Sequence, residues 1–350
     1  MRVVVVGATG NVGTSLVQAL GDDPQVSEVL GLARRRPAWS PPKTQWATVD
    51  VGGDDDLVSH FRSADAVVHL AWLFQPTHDP VTTWRNNVGG SIRVFDAVAE
   101  AGVPALVYAS SVGAYSPGPK DRAVDESWPT DGWPTAGYTR EKAYVERVLD
   151  IFERDNPSRR VVRLRPGFIF KRESASQQRR LFAGPFLPAR LARPGLVPVV
   201  PDLPGLRFQV LHSLDAAEAY RLALVRKVRG AFNIAADPVI DAGGLAELLD
   251  ARTVRAPLPA VRSALAAAWH LHLVPASPQL FDAVLRIPLM DVSRARTELG
   301  WSPRHSSVDA MRELLEGLRE TAGMRTPPLD PQAGGKMRQR EIRTGLGTRP

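Results

Sequence analysis

The sequence predicts an α/β fold, a doubly wound parallel sheet carrying a smaller, mostly helical C-terminal lobe. Three observations predict it. Short runs rich in Val and Leu recur through the first 170 residues, and segments of helical period separate them. A glycine-rich turn, "GATGNVG" at 7–13, joins the first run to the first helical segment.

Taken in order, "RVVVVG" (2–7), "EVLGLA" (28–33), "DAVVHLA" (65–71), "ALVYAS" (105–110) and "RVVRLR" (160–165) read as strands. Their continuous apolar content suits strands buried on both faces of a parallel sheet. "QWATV" before Asp50 supplies a further strand region, and residues 11–20, 83–101 and 139–154 read as helices between strands. After Pro166 the texture changes: 171–206 is rich in Pro and Arg, as expected of loops and short helices over a site. "RFQVLH" (207–212) leads into a helix through Asp215, and "GAFNIA" (230–235) is a further strand. From Gly243 to Thr321 helices predominate, interrupted by prolines. The expected organisation is a core over 1–165, completed by segments within 207–240, and a lobe from 166–206 and 241–321.

Composition narrows the functional classes. The chain has no cysteine, which excludes disulfides, thiolate metal sites and a cysteine nucleophile. No secretory signal is visible, and "SALAAAWHLHLVPA" is shorter than the roughly 20 residues that a bilayer requires, so a cytoplasmic protein without membrane contact is expected. The net charge of +7 is concentrated at one end: residues 325–350 hold six basic and two acidic side chains. That Pro- and Gly-rich tail has no apolar period and is expected to be disordered, with no specific nucleic-acid binding by the folded body.

In "VVVVGATGNVGTSLVQAL", Gly7 permits the tight turn, Gly10 lets backbone approach a pyrophosphate, and Gly13 allows close helix packing. The helix N-terminus offers free amides and partial positive charge to phosphates. The second strand ends at Ala33 and runs into Arg34, Arg35 and Arg36. Guanidinium groups there suit a 2′-phosphate, so NADP(H) is expected over NAD(H). Asp50 is a candidate for the adenine end. Further along, "AGYTREKAYVE" places Tyr138 and Lys142 one helical turn apart. Chance would give about 0.09 such pairs in this composition, which favours a functional pairing.

Together these segments resemble the extended short-chain dehydrogenase/reductase family, also called the NAD-dependent epimerase/dehydratase family. The resemblance spans residues 1 to 321 and rests on "GATGNVG" (7–13), "HLAW" (69–72), "NNVGGS" (86–91), "ASSVGAY" (109–115), "YTREK" (138–142) and "RPGFIF" (165–170). It continues through "FQVLHSLDAAEA" (208–219) and "DVSRARTELGWSP" (291–303). It implies a Rossmann-type core and a small substrate lobe. It also implies catalysis by Ser111, Tyr138 and Lys142, with Asn87 in support. Gly7, Thr9, Gly10, Asn11, Val12, Gly13, Arg34, Arg35, Asp50, Val51, Leu70, Ala71, Asn87, Tyr138, Lys142 and Pro166 are then the expected cofactor-binding residues. The chemistry is coherent: hydride transfer at a carbinol carbon needs a proton moved at its oxygen, and a nearby ammonium favours tyrosinate. Arg140 and Glu141, between the pair, are expected on a solvated face.

Two departures limit the reading. Dehydratases of the family carry an Asp–Glu pair after the catalytic Ser or Thr, where this chain has Val112 and Gly113, so dehydration is disfavoured. Nucleotide-sugar enzymes of the family commonly have Asn where Phe168 stands, which weakens a nucleotide-sugar assignment. Trp72, Val112, Phe168 and Arg207 are candidate contacts for a small-molecule substrate, and Arg179, Arg180, Arg190 and Arg193 could meet an anionic one. Trp128 and Trp133 either wall the substrate or pack their loop. His212 and Asp215 are expected to be structural. His270 and His272, spaced i, i+2, point to no metal site. Epimerase and NADPH-dependent reductase chemistry both remain open, with a non-catalytic dinucleotide-binding sensor or scaffold as the alternative. The resemblance also implies a homodimer through the helix bearing the Tyr–Lys pair, whose apolar positions are Ala143, Val145, Val148, Leu149 and Ile151.

Overall fold

The structure, a computed structural model, describes residues 1–75, 77–184 and 194–333. Seven strands form the central sheet: β1 (Arg2–Val6), β2 (Glu28–Ala33), β3 (Thr44–Thr48), β4 (Ala66–His69), β5 (Ala105–Ala109), β6 (Arg160–Pro166) and β7 (Gly230–Ile234). They lie in the order β7-β6-β5-β4-β1-β2-β3, every neighbouring pair parallel. The run "VVVV" shows why: Val3 and Val5 enter one apolar cluster while Val4 and Val6 enter the other. A strand buried on both faces needs helices on both sides.

Those helices are α1 (Asn11–Asp22) and α4 (Ser213–Val225) on one face, and α2 (Gly90–Glu100) and α3 (Gly137–Asp155) on the other. Leu16, Leu20 and Tyr220 pack with Val3 and Val5, while Phe95, Val145 and Leu149 pack with Val4 and Val6. Strand order reverses between β1 and β4. Ligands of such sheets bind beyond the strands' carboxyl ends at that switch point.

The helix expected over 83–101 begins earlier and is not uniform. It starts at Pro80 behind an Asp79 cap, whose carboxylate accepts from Thr82 N, and passes through a π turn (Arg85–Gly89) into α2. The Asp-Pro step carries both the cap and the favoured first-turn proline.

The C-terminal lobe combines short strand pairs with helices 242–249, 258–270, 278–284 and α5 (Ser307–Glu320). Residues 168–170 pair with 210–212, and 207–208 with 240–241. The disorder expected over 325–350 is corrected for its first part. Thr326 and Leu329 are buried, and Arg180 donates to the carbonyls of Pro328 and Asp330. A few buried side chains outweigh the Pro- and Gly-rich composition there. Residues 334–350, with the rest of the basic tail, lie outside the described residues, as do Arg190 and Arg193.

Candidate active site

The expected cofactor residues converge on the carboxyl edge of the sheet. Gly7 sits at the end of β1 with φ +86°, and a Cβ there would lie 2.6 Å from Ala71 N; one on Gly13 would lie 2.5 Å from Gly7 O. Only hydrogen fits at either place. A Cβ on Gly10 would meet only Gly7 O, at 3.6 Å, so the space over the start of α1 is open. Thr9, Asn11 and Val12 complete this turn, and Leu70 N donates to Val6 O at 2.8 Å, bringing Leu70 and Ala71 alongside. Arg34 and Arg35 are exposed at the end of β2. Asp50 Oδ1 accepts from Gly52 N at 3.0 Å, and Val51 O accepts from Arg93 at 2.8 Å. Pro166 ends β6. An open, glycine-lined helix N-terminus at the switch point fits a dinucleotide pyrophosphate.

Ser111 lies just beyond β5, and its Oγ accepts from Gly113 N at 3.0 Å, ordering the tight turn of Val112–Ala114. Tyr138 and Lys142 lie in the first turns of α3 and face this turn. Burial pushes the Tyr138 phenol up to about 12, and a hydrogen bond with Ser111 works in the opposite direction. A Cβ on Gly113 would stand 2.8 Å from the Tyr138 ring. Lys142 Nζ donates to Ala109 O at 2.7 Å and lies 3.4 Å from the centre of the Trp72 ring. Burial drives its ammonium well below the usual lysine range, opposed by Glu146 and Glu141.

Glu141 corrects an expectation. It is not on a solvated face but 1% exposed, accepting from Thr83 Oγ1 and Asn87 Nδ2, each at 2.6 Å. Arg140, beside it, is exposed. Asn87 also brackets Leu73: its Oδ1 accepts from Leu73 N at 2.7 Å and its Nδ2 donates to Leu73 O at 2.8 Å. Asn87 thereby fixes the loop after β4. Glu146 is held differently. Burial opposes its charge, but Arg165 and Arg163 outweigh burial and bring the carboxyl down to about 2. Its other partner, Ser110 Oγ, donates at 2.5 Å, so this cluster anchors α3 under β5.

The aromatic surroundings were only partly foreseen. Trp72 meets Tyr138 edge-on at 5.9 Å, but Phe74, not anticipated, stacks on Tyr138 at 4.9 Å and 12°. Phe182 closes on Phe74 at 5.7 Å. Trp128 and Trp133 pack their loop instead: Trp128 Nε1 donates to Ser116 O, and Arg286 covers the Trp133 ring. Phe168 lies against Phe208 at 5.3 Å. Arg207 donates to Lys120 O, and Arg179 to Gly184 O at 3.0 Å. His212 caps α4 through Leu214 N, and Asp215 accepts from Arg304 N and His305 N. His78 approaches His272 at 4.2 Å between ring centres, but among the described residues no group of three such side chains is placed to hold a metal.

Comparison with known proteins agrees with this geometry. The model of the NAD dependent epimerase/dehydratase family matches residues 3–235. A protein of Mycobacterium tuberculosis (strain ATCC 25618 / H37Rv), itself described only as uncharacterised, is 27% identical over 333 residues, 93% of this chain and 31% of that protein. The chain thus spans about a third of the length of the curated relatives it first matches. A UDP-glucose 4-epimerase of Lactobacillus helveticus is 30% identical over 158 residues, 43% of this chain and 46% of that enzyme. The solved Thermus thermophilus UDP-glucose 4-epimerase, in complex with NAD, superposes with a TM-score of 0.67 at 21% identity, covering 91% of this chain and 99% of that one. At that identity the likeness is one of fold.

Proposed function

The chain belongs to the NAD-dependent epimerase/dehydratase family, and from that premise we propose that it is an NADP(H)-preferring oxidoreductase acting at the hydroxyl or ketone carbon of a small molecule. The observation that carries this reading is the meeting of Ser111, Tyr138 and Lys142 at the carboxyl end of β5, on the same sheet edge as the open glycine turn that follows β1.

The dinucleotide, when bound, supplies or accepts the hydride. Ser111 orients the substrate oxygen. Tyr138 moves one proton at that oxygen, through the phenol that Ser111 already touches. Lys142 favours the tyrosinate by its charge, and Ala109 O holds it in place. Val112 and Gly113, after Ser111, offer no acid for water loss. Any side chain at position 113 would collide with the Tyr138 ring, which supports disfavouring a dehydratase.

Trp72 and Phe74 crowd the Tyr138 phenol with apolar surface, Phe182 backs Phe74, and Phe168 adds none of the amide donors that hold a diphosphate. This favours net reduction of a ketone with an apolar flank. Epimerisation is the second reading, supported by the partial likeness to the Lactobacillus helveticus enzyme. Absorbance at 340 nm with a panel of ketones and nucleotide sugars separates the two: net NADPH consumption is expected, whereas sugar inversion without net cofactor turnover would establish the epimerase. Calorimetry should show NADPH binding more tightly than NAD⁺ because Arg34 and Arg35 lie at the end of β2; the reverse order would reject the cofactor preference.

A further inference from the structure

Lys171 follows the short strand 168–170 and is 5% exposed. Its Nζ donates to Thr14 Oγ1 at 2.8 Å and Ser15 Oγ at 2.9 Å, with Met324 Sδ at 3.9 Å. Thr14 Oγ1 is in turn 3.0 Å from Gly10 O and 3.1 Å from Asn11 O. One hydroxyl therefore separates a buried ammonium from the backbone of the glycine turn.

This placement is costly for the protein alone. Among the described residues no carboxylate hydrogen-bonds Lys171, and a buried unpaired charge is disfavoured. The charged groups on the surrounding elements are directed elsewhere or lie further along the chain. Glu173 and Arg172 follow it, Glu313 on α5 accepts from Arg172 N and pairs with His212, and Arg325 is exposed. A cation beside the first turn of a helix also opposes that helix's own partial positive charge. Both costs are offset if an anion occupies the open space over the same turn. The chain seals the arrangement from water: Thr326 Oγ1 donates to Thr9 O at 2.9 Å, and Leu329, three residues on, is fully buried.

We propose that Lys171 is a positioning residue for the dinucleotide pyrophosphate, delivering a full positive charge to the glycine turn through Thr14. This rests on the dinucleotide reading above. Burial brings the Lys171 ammonium down to about 8, with Glu173 opposing. The charge is present at neutral pH and is lost as pH rises through that value. Pyrophosphate binding favours the charged form, so affinity must fall over the same range.

The test is calorimetric titration of NADPH and NAD⁺ into the full chain and into Lys171→Met, from pH 7 to 9.5, with melting temperatures of both proteins without ligand. The wild type should lose about tenfold in affinity for its tighter dinucleotide across that range. K171M should bind about tenfold more weakly at pH 7 and show a flat profile, while melting no lower than the wild type. A purely structural lysine predicts the opposite pattern, a lower melting temperature with affinity kept. Wild-type binding with a folded K171M of unchanged affinity, or with a pH profile shared by both proteins, overturns the inference alone. A wild type that binds neither dinucleotide rejects the dinucleotide reading as well.

Discussion

At the residue scale, the proposed chemistry depends on one phenol. Burial alone would keep Tyr138 protonated far above neutral pH, and Ser111 is the group that opposes this in the structure. Lys142 is also buried, where a charge is poorly screened, but the same burial pushes its ammonium well below the usual lysine range. Removing the hydroxyl should therefore abolish proton movement without disturbing the dinucleotide turn, which shares no atoms with it. Tyr138→Phe is expected to lower kcat by about 10²–10⁴-fold while dinucleotide binding, held mainly at the glycine turn, persists. Steady-state rates and calorimetry on the same preparation check both halves. A variant retaining more than a tenth of wild-type turnover would remove Tyr138 from the reaction, whereas a wild type that binds the dinucleotide and turns over no substrate would favour the non-catalytic sensor.

At the element scale, what periodicity encodes was legible and what long-range contact encodes was not. The strands β1, β2, β4, β5 and β6 fall within a few residues of their expected bounds, because continuous Val and Leu runs carry the signal for a doubly covered sheet. The resemblance carried by "ASS", "YTREK" and the glycine turn names Ser111, Tyr138 and Lys142, and the structure brings Tyr138 against Ser111 and Lys142 against Ala109. Glu141 was misplaced because its partners, Thr83 and Asn87, lie 58 and 54 residues away. Lys171 carries no sequence signal for the same reason, since Thr14 and Ser15 are 157 and 156 residues distant. Phe74 lies in a loop with no period to reveal it. Glu141 ties α3 to the π turn that holds Asn87, and Asn87 in turn holds the loop bearing Trp72 and Phe74. Glu141→Ala removes the acceptor that Thr83 Oγ1 and Asn87 Nδ2 share, leaving them only Pro80 O and Leu73 O, and should cost about 1–3 kcal/mol. Urea unfolding measures that loss; a change within about 0.5 kcal/mol, the spread of neutral surface substitutions, would show that the tie contributes nothing to stability.

At the scale of the whole molecule, helix α3 presents two faces with different partners. Its inner face holds Val145 and Leu149 in the core, while Tyr144 is 46% and Ile151 51% exposed on the outer one. Helix 80–84 adds Val81 at 75% and Trp84 at 37%, and the Trp84 and Tyr144 rings stand 4.9 Å apart. Large apolar side chains gathered on adjoining helices mark an association surface more often than chance scatter does. A self-complementary contact through this face would form a two-fold dimer and brace the helix that positions Tyr138 and Lys142. Sedimentation equilibrium should then return twice the 38.1 kDa chain mass at micromolar concentration. Tyr144→Glu combined with Ile151→Glu places like charges where two copies of α3 would meet, and should leave a folded monomer. A wild type that sediments as a monomer, or a double variant that stays dimeric, would assign this face to something other than self-association.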